Sequence, residues 1–581
     1  MIVFHRVSRV VPRPSGQFMS AFGPRHLGCT LLGCARARRP GWEHWTHDSR
    51  FGDVQRQPMV RTWLVNGFAR SRSVALVGLA GHVVEVEADI GQSLPAFTII
   101  GLPDQAVNES KERIRSAARH AGAALAPRKI TVNLSPATLP KRGSHFDVAV
   151  VMAVLSAQGV VRVPPDTVFY AELGLDGSLR PVRGVLPAVL AAVRAGYPRV
   201  VVAEANRVEA ELVAGADVSS AAHLSQLLVA HGADPTLLAR ATSSRAESAP
   251  DGGNPQEPDG TAVPDLRDVV GQVEGRQALE IAAAGGHHLL MVGPPGAGKT
   301  MLAERLPGIL PDLADDDSLE VTSVHSLRGD DVCSSLIRRP PFQAPHHSIT
   351  MPALCGGGSG MPRPGAISLA HRGVLFLDEA PEFDRRVLDA LRQPLESGTV
   401  TIARAQSVAH YPAHFQLVLA ANPCACGNAG GTDQACTCTA VQRRRYFGKL
   451  SGPLLDRVDL QLRVPAVTYH ELSGGHGRTP EDSAAVAERV ATARAAQEER
   501  LRRWGCRLNS AVPGSLLHRT LSPGTRSVLP LKAAMDNKTL TARGFVKVLR
   551  VAWTLADLAG ATVPSPEHVQ LALYFKTTVT T

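Results

Sequence analysis

The stretch Gly293-Pro-Pro-Gly-Ala-Gly-Lys-Thr300 fits the spacing G-x-x-x-x-G-K-[ST] of a phosphate-binding loop. The apolar run His288–Val292 before it predicts a buried strand, and Thr300–Leu306 after it predicts a helix. Glycines let backbone N–H groups surround the phosphates of a nucleotide, and the helix N-terminus adds a favourable dipole. The stretch therefore predicts a nucleotide-binding α/β domain. The loop residues are Gly293, Pro294, Pro295, Gly296, Ala297, Gly298, Lys299 and Thr300.

Two loop residues and two acidic residues further along the chain have the chemistry of ATP hydrolysis. We expect Lys299 to contact the β- and γ-phosphates and Thr300 to bind Mg²⁺. The run Val374–Leu377 predicts a central buried strand, and Asp378 at its end is positioned to hold the water shell of Mg²⁺. Glu379 follows directly, where it can polarise the attacking water. Together these residues predict an ATPase that uses ATP and Mg²⁺.

The rest of the chain divides into regions of different composition. A length of 581 residues suggests about three or four domains. The predicted order is an α/β domain, a flexible linker rich in small, polar and acidic residues, the phosphate-binding α/β domain and a small helical domain. Their expected bounds are residues 73–230, 231–262, 265–470 and 475–578. In the first domain, Ser73–Asp89 predicts two strands joined by a turn at Gly81-His82.

Residues 1–62 differ from the remainder in charge. They contain ten arginines and three acidic residues, which accounts for seven of the ten net positive charges of the chain. Three interpretations stay open: a translated upstream region with the true start near Met59, a disordered basic arm, or an organelle-targeting presequence. The remaining residues are close to charge balance, so composition gives little support to DNA binding by the main body.

Hydropathy and the N-terminal sequence predict the location of the protein. The sequence has no run of 18 apolar residues, which a membrane-spanning helix would need. Its first residues also lack the apolar core and cleavage site of a secretory signal. We therefore expect a cytoplasmic protein without a membrane partner.

Four of the nine cysteines lie within fifteen residues, as Cys424-Ala-Cys426 and Cys436-Thr-Cys438. Two close pairs of thiolates can supply the four ligands of a tetrahedral Zn²⁺ site. The spacing C-x-C is tighter than the usual C-x₂-C, so a redox-labile disulfide pair or free thiols remain alternatives. We expect three other cysteines to be structural, namely Cys333, Cys355 and Cys506.

Two further polar features lie close to the predicted nucleotide site in sequence. The strand Val418–Ala421 ends in Asn422, whose amide could hydrogen-bond the γ-phosphate or the lytic water. The 79 residues from Lys299 to Asp378 are more than one helix and strand need, which implies an inserted segment. It contains His346-His347, for which we expect a structural or gating role rather than metal binding.

Several longer stretches resemble the ComM/YifB family of magnesium-chelatase-like AAA+ ATPases, across residues 73–578. The stretches are Ser73-Val-Ala-Leu-Val-Gly-Leu, Leu94-Pro-Ala-Phe-Thr-Ile-Ile-Gly-Leu-Pro-Asp104, Ile130-Thr-Val-Asn-Leu134, Gly271-Gln272, Arg339-Pro-Pro-Phe-Gln-Ala-Pro-His-His347 and Ser451-Gly-Pro-Leu-Leu-Asp-Arg457. The resemblance implies that Arg457 is an arginine finger that reaches the ATP of a neighbouring subunit. It also implies that Arg543 is the sensor arginine of the lid helix and Asn422 the polar sensor. An arginine supplied in trans implies a homo-oligomeric ring, expected to be a hexamer.

The N-terminal α/β domain resembles the Lon protease domain (ribosomal S5 domain 2-like). Proteolysis of the Lon type needs a serine nucleophile and a lysine that activates it. The matching stretch Arg142-Gly-Ser-His-Phe-Asp147 does not preserve the Gly-Pro-Ser-Ala-Gly motif of that serine, and Arg183-Gly-Val-Leu-Pro-Ala188 contains no lysine. We therefore expect a non-proteolytic scaffold.

The resemblance implies an ATP-driven DNA translocase or helicase that acts on branched recombination intermediates, as in competence-related branch migration. Ser397–His410 alternates as a hairpin with Arg404 near its tip, where it could contact DNA phosphates. The alternative is a magnesium-chelatase-like subunit that drives metal insertion or remodels a protein partner. By the resemblance, chelatase motor subunits lack the N-terminal domain, which disfavours that alternative. A Lon-like protease is disfavoured by the missing serine and lysine.

Overall fold

The structure is a computed structural model that describes residues 67–236, 264–329, 333–358, 362–404, 407–429, 436–469 and 480–577. The extension at residues 1–62, and all but the first six residues of the linker expected at 231–262, lie outside the described residues. No helix in the described ranges is long and apolar enough to cross a membrane.

The N-terminal region folds as an α/β domain with two main sheets. Its strands are β1 Phe68–Val77, β2 Ala80–Ile90, β3 Ala96–Ile100, β4 Lys129–Ser135, β5 Thr167–Tyr170, β6 Glu172–Leu173, β7 Leu179–Arg180, β8 Arg199–Ala203 and β9 Asp217–Ala221. Its helices are Gln105–His120, Asp147–Ala157, Val185–Arg194, Arg207–Glu211 and Leu224–Ala230. One sheet has the order β1-β2-β4-β3 and the other, all parallel, has the order β5-β8-β9. The short strands β6 and β7 form a separate hairpin.

The turn of the first hairpin lies at Gly78-Leu79, so the prediction of a turn at Gly81-His82 is wrong. Val77 pairs with Ala80, and Gly78 has φ +63°, which glycine adopts at no steric cost. Gly81 lies inside β2, and a Cβ placed there would be 2.4 Å from the Cβ of Ala191. Glycine is therefore needed at that position because the helix Val185–Arg194 packs closely on the strand.

The second region is built around one parallel sheet of five strands. Its strands are β10 Leu289–Val292, β11 Phe342–Gln343, β12 Gly356–Gly357, β13 Arg363–Pro364, β14 Val374–Leu377, β15 Thr399–Arg404, β16 Ser407–Pro412, β17 Gln416–Ala421 and β18 Leu460–Arg463. Its helices are Val273–Gly285, Lys299–Arg305, Asp315–Arg328, Met351–Cys355, Ala366–Leu369, Arg385–Ala390, Arg392–Ser397, Ala440–Phe447 and Gly452–Leu455. The sheet order is β11-β14-β17-β10-β18, and all residues of the three middle strands are buried, as expected for a sheet covered on both faces.

The C-terminal region is helical, as the sequence predicts. Its helices are Ser483–Leu501, Gly514–Arg519, Thr525–Asp536, Ala542–Leu558 and Pro566–Thr577. They share one hydrophobic core with the helix Val273–Gly285 and one face of the five-stranded sheet. The helical region therefore packs directly on the domain that carries the phosphate-binding loop.

Candidate active site

The phosphate-binding loop lies at the carboxyl end of β10, directly before the helix Lys299–Arg305. Gly296 has φ +76° and Gly298 has φ +86°, conformations that favour glycine. A Cβ placed on Gly293 would lie 2.1 Å from the carbonyl oxygen of Val464, so no larger residue fits there. The three glycines of the motif are therefore required by the backbone path of the loop.

The side chain of Lys299 is buried inside this loop. Its Nζ donates to the carbonyl oxygens of Gly293 at 2.8 Å and Pro294 at 2.9 Å. It also donates to Oδ1 of Asn422 at 3.1 Å. Burial lowers the pKa of Lys299, although the nearby carboxylates of Asp378 and Glu379 oppose this shift. The structure thus brings together the loop lysine and the amide that follows β17.

The two predicted Mg²⁺ ligands lie in contact with each other. Oγ1 of Thr300 donates to Oδ2 of Asp378 at 2.6 Å. Asp378 directly follows β14, and the parallel strands β14, β17 and β10 end at the same edge of the sheet. A hydroxyl and a carboxylate are the hard oxygen ligands that Mg²⁺ prefers, so the residues present fit this ion.

Glu379 lies beside the same edge, at the wall of an open cavity of about 330 Å³. Its backbone adopts φ +49°, which is uncommon for a residue other than glycine, and its N–H donates to Oδ1 of Asp378 at 2.8 Å. Oε2 of Glu379 is 3.5 Å from Nδ1 of His347. Sequence reasoning gave His347 no contact with the site, because the inserted segment that carries it is distant in sequence.

A second contact that sequence reasoning missed supports the loop from behind. Gln272 is buried, and its Nε2 donates to the carbonyl oxygens of Ala297 at 3.1 Å and Pro465 at 2.7 Å. The amide therefore links the phosphate-binding loop to the segment after β18. The pair Gly271-Gln272 was part of the family resemblance, but nothing in its local sequence indicated this role.

Arg457 lies at the opposite end of the sheet from the loop. It comes shortly before Leu460, which pairs with Leu289 at the start of β10. The phosphate-binding loop follows the other end of that strand. Strand β10, about 13 Å long, separates the two levels. The guanidinium is mostly buried and pairs with Glu396 of the same chain. Arg457 is therefore not brought to the phosphate-binding loop of its own subunit.

Arg543 lies near Arg457 rather than near the loop. Its side chain is exposed, and Nη1 is 4.0 Å from Oδ2 of Asp456, the residue before Arg457. The two arginines that the resemblance assigns to the ATP site are thus on one side of the subunit, away from Lys299.

A buried ion pair fixes this arginine-bearing segment to the helical region. Nζ of Lys547 is 2.9 Å from Oδ1 of Asp459, and both side chains are almost fully buried. The backbone N–H of His288 donates to Oδ2 of Asp459 at 3.1 Å. Burial opposes ionisation of Asp459, but Lys547 and His287 outweigh it and hold its pKa well below the ordinary value.

Lys547→Met is expected to destabilise the protein by about 3–5 kcal/mol at pH 7, because it leaves a buried carboxylate without its cation. In the wild type, a lowered folded-state pKa means that the carboxylate stabilises the fold above pH of about 4, with loss only below that. In the variant, burial favours protonation of Asp459. The difference in stability between the wild type and Lys547→Met should therefore shrink as the pH falls from 7 to 4. Thermal unfolding of both proteins over this pH range measures that difference. The control Lys532→Met changes an exposed lysine, and equal Tm values for wild type and Lys547→Met at pH 7 would contradict the expectation.

The predicted hairpin is present, with Arg404 paired to Ser407 at the last described rung before the tip. The Arg404 side chain is exposed. At the other end of the hairpin, the approach to the N-terminal domain is close: a Cβ placed on Gly78 would lie 2.7 Å from the carbonyl oxygen of His410. The hairpin thus packs against the N-terminal domain and presents an arginine to solvent.

The predicted cysteine cluster also forms. The four ligand sulfur atoms, of Cys424, Cys426, Cys436 and Cys438, all lie within 4.8 Å of one another.

In the N-terminal domain, the hydroxyl of Ser144 donates to Glu172, and Nζ of Lys141 donates to the carbonyl oxygen of Pro136. The serine and the lysine nearest to it in sequence thus each have another partner.

Comparison with known families accounts for the three regions of the chain. The family described as "Magnesium chelatase, subunit ChlI" matches residues 265–472. "Subunit ChlI of Mg-chelatase" matches residues 86–206, and "Magnesium chelatase, subunit ChlI C-terminal" matches residues 480–576. A magnesium chelatase description therefore covers part of each of the three regions.

Known relatives match almost from end to end. An uncharacterized protein of Mycobacterium tuberculosis is 50% identical over 88% of this chain and 98% of its own length. Competence protein ComM of Haemophilus influenzae is 40% identical over 87% of this chain and 97% of its own. YifB of Escherichia coli is 38% identical over 86% and 96%, while a Lon protease of Bacillus subtilis shares only a short match at 31% identity. The chain therefore belongs to the ComM/YifB family of magnesium-chelatase-like AAA+ ATPases.

Proposed function

We propose that this protein is a ring-shaped AAA+ motor that hydrolyses ATP to move along DNA, as a translocase or helicase on branched recombination intermediates. The observation that carries the DNA part is the hairpin β15–β16, on which the Arg404 side chain is exposed next to the tip. An exposed arginine on a hairpin can contact the phosphates of either strand without reading sequence. That is the contact a motor needs when it moves along DNA.

The proposed hydrolysis uses the residues gathered at one edge of the sheet. Lys299 leaves the carbonyl oxygens of its own loop for the β- and γ-phosphates of ATP, while Asn422 stays in reach of the γ-phosphate. Thr300 and Asp378 would hold Mg²⁺, which would supply charge neutralisation at the phosphates. Glu379 orients the attacking water and accepts its proton. His347, 3.5 Å away, keeps that carboxylate turned toward the site.

The second half of each site comes from a neighbouring subunit. Arg457 and Arg543 lie on the side of the subunit away from the phosphate-binding loop, which supports a role for both in trans. Arg457 would exchange Glu396 for the phosphates of the adjoining ATP. Hydrolysis then depends on assembly, and a closed ring, which we propose to be a hexamer, gives every loop a neighbour.

Two further points support DNA as the substrate. The helix Ala440–Phe447 carries three consecutive exposed arginines, Arg443–Arg445, which add positive charge to the ATPase core. One relative is named a competence protein. The N-terminal domain serves as a non-proteolytic scaffold, a role supported by the absence of a lysine from Arg183–Ala188.

A chelatase-like subunit remains the second candidate, because all three matched families carry a magnesium chelatase description. The two functions differ in what stimulates ATP hydrolysis. A DNA motor is expected to hydrolyse ATP faster when forked DNA is added. Stimulation only by a porphyrin-binding protein partner would support the chelatase function and contradict ours.

Arg404→Ala is expected to lower DNA-stimulated ATP hydrolysis and DNA affinity by about 10-fold, with unstimulated hydrolysis unchanged, because one phosphate contact per subunit is lost. Affinity for forked DNA measured over a salt series should also show a shallower salt dependence. The control Arg207→Ala changes an exposed arginine of the N-terminal domain that pairs with Glu211. An Arg404→Ala protein with wild-type DNA affinity and salt dependence would exclude this hairpin as a DNA contact.

A further inference from the structure

The four clustered cysteines have the geometry of a metal site rather than of disulfides. Sγ of Cys424 is 3.3 Å from that of Cys426 and 3.6 Å from that of Cys436, and Cys426 is 3.6 Å from Cys436. A disulfide needs a sulfur separation of about 2.05 Å. Tetrahedral Zn²⁺ with bonds of about 2.3 Å places its sulfur ligands about 3.8 Å apart. The convergence of both C-x-C pairs on one point therefore fits one Zn²⁺ ion.

The first C-x-C pair lies between two parts of the nucleotide site. Cys424 comes two residues after Asn422, whose Oδ1 accepts a hydrogen bond from Lys299. The turn closes when the N–H of Gly427 donates to the carbonyl oxygen of Cys424 at 3.0 Å. A Cβ placed on Gly427 would lie 2.8 Å from Cδ of Pro295, so this turn packs directly on the phosphate-binding loop.

The second C-x-C pair is also connected to Asn422, through the helix Ala440–Phe447. Thr439, directly after Cys438, caps the helix Ala440–Phe447 by accepting the N–H of Gln442 at 3.2 Å. Tyr446 on this helix is buried, and the backbone of Asn422 lies beside its hydroxyl, where it partly offsets the rise that burial causes in the pKa of Tyr446. The two cysteine pairs thus join the two segments that hold Asn422 in place.

We propose that Cys424, Cys426, Cys436 and Cys438 bind one Zn²⁺ ion, and that this ion positions Asn422 and Pro295 for ATP hydrolysis. Without the ion, the turn Cys424–Gly427 is no longer tied to the helix that carries Tyr446, and Asn422 loses its fixed position beside Lys299. The cysteines are neither part of the phosphate-binding loop nor among the residues that would hold Mg²⁺ or activate water, so they are positioning residues. The proposal rests on the ATPase part of the proposed function and not on DNA as its substrate.

Metal analysis of the full chain tests the binding step without reference to activity. Mass spectrometry of the purified protein is expected to find one zinc per chain, and a mercurial thiol reagent should release it to a colorimetric chelator. The double variant Cys436→Ser/Cys438→Ser should lose the zinc, whereas Cys506→Ser, a cysteine of the helical region, should retain it. Wild-type protein with no zinc, or with the visible absorption of an iron–sulfur cluster, would overturn the proposal.

The positioning step is tested by removing zinc from the folded wild-type protein and adding it back. Hydrolysis is expected to fall about 10-fold on removal and to return with Zn²⁺, as for losses in the shell around a catalytic site. Asn422→Ala should show the same reduced rate with or without zinc, while still binding one ion. Full activity of zinc-free protein would show that the ion does not position the site. If the zinc-loaded protein hydrolysed no ATP at all, the proposed ATPase would fail while the metal site stood.

Discussion

Arg457→Ala is expected to reduce ATP hydrolysis about 10³-fold in the assembled protein while ATP affinity changes little. The reason is that an arginine at the transferring phosphoryl group stabilises charge that develops only in the transition state. Phosphate release measured with saturating ATP, together with equilibrium nucleotide binding, separates the two effects. The control Arg385→Ala removes an exposed arginine whose pair with Asp389 is worth little.

The geometry makes this prediction specific to a neighbouring subunit. Arg457 and the phosphate-binding loop lie at opposite ends of parallel strands, and Arg457 pairs with Glu396 within its own chain. A mixture of Arg457→Ala and Lys299→Ala subunits, each inactive alone, should therefore recover activity. At one type of interface, the Arg457→Ala subunit supplies an intact phosphate-binding loop and the Lys299→Ala subunit supplies an intact Arg457. If co-assembled mixtures stayed inactive, Arg457 would not act in trans.

Glu379→Gln is expected to bind ATP with nearly wild-type affinity and to hydrolyse it about 10²–10⁴-fold more slowly. Glutamine keeps the size of the side chain but cannot accept the proton of the attacking water. Oδ1 of Asp378 would still accept the backbone N–H of residue 379, so the turn should be preserved. A fluorescent ATP analogue measures binding and phosphate release measures turnover.

The matched control for this prediction is Glu382→Gln, three residues further along the same turn. Glu382 pairs with Lys449 at 3.2 Å on the surface, so its loss should leave turnover within about 2-fold of wild type. Normal turnover in Glu379→Gln, or equal losses in both variants, would mean that Glu379 does not activate the water.

The residue placements that the sequence predicted correctly are those that short segments determine. Gly293–Thr300 follows a buried strand, and Asp378 follows another, so neighbouring parallel strands had to bring them to one edge. The two C-x-C pairs, which are close in sequence, likewise bring their four sulfur atoms together. In each case, the residues that meet lie on short segments whose local structure the sequence indicates.

The parts that were missed depend on contacts between segments far apart in sequence. Gln272 supports the phosphate-binding loop because its amide bonds the carbonyl oxygens of Ala297 and Pro465, which are both distant in sequence. His347 meets Glu379 because the inserted segment folds back over the sheet edge. The hairpin turn was misplaced for the same reason. Position 81 needs glycine because a helix more than 100 residues away packs on it, and not because the chain turns there.

The central claim is that ATP hydrolysis drives movement along branched DNA, and strand displacement tests it most directly. Full-length protein is incubated with labelled forked or three-stranded DNA and ATP, with Lys299→Ala as the matched inactive control. Displacement of the labelled strand that requires ATP and is absent in Lys299→Ala is the predicted result. Active ATP hydrolysis with neither affinity for these DNAs nor displacement of a strand would contradict the account.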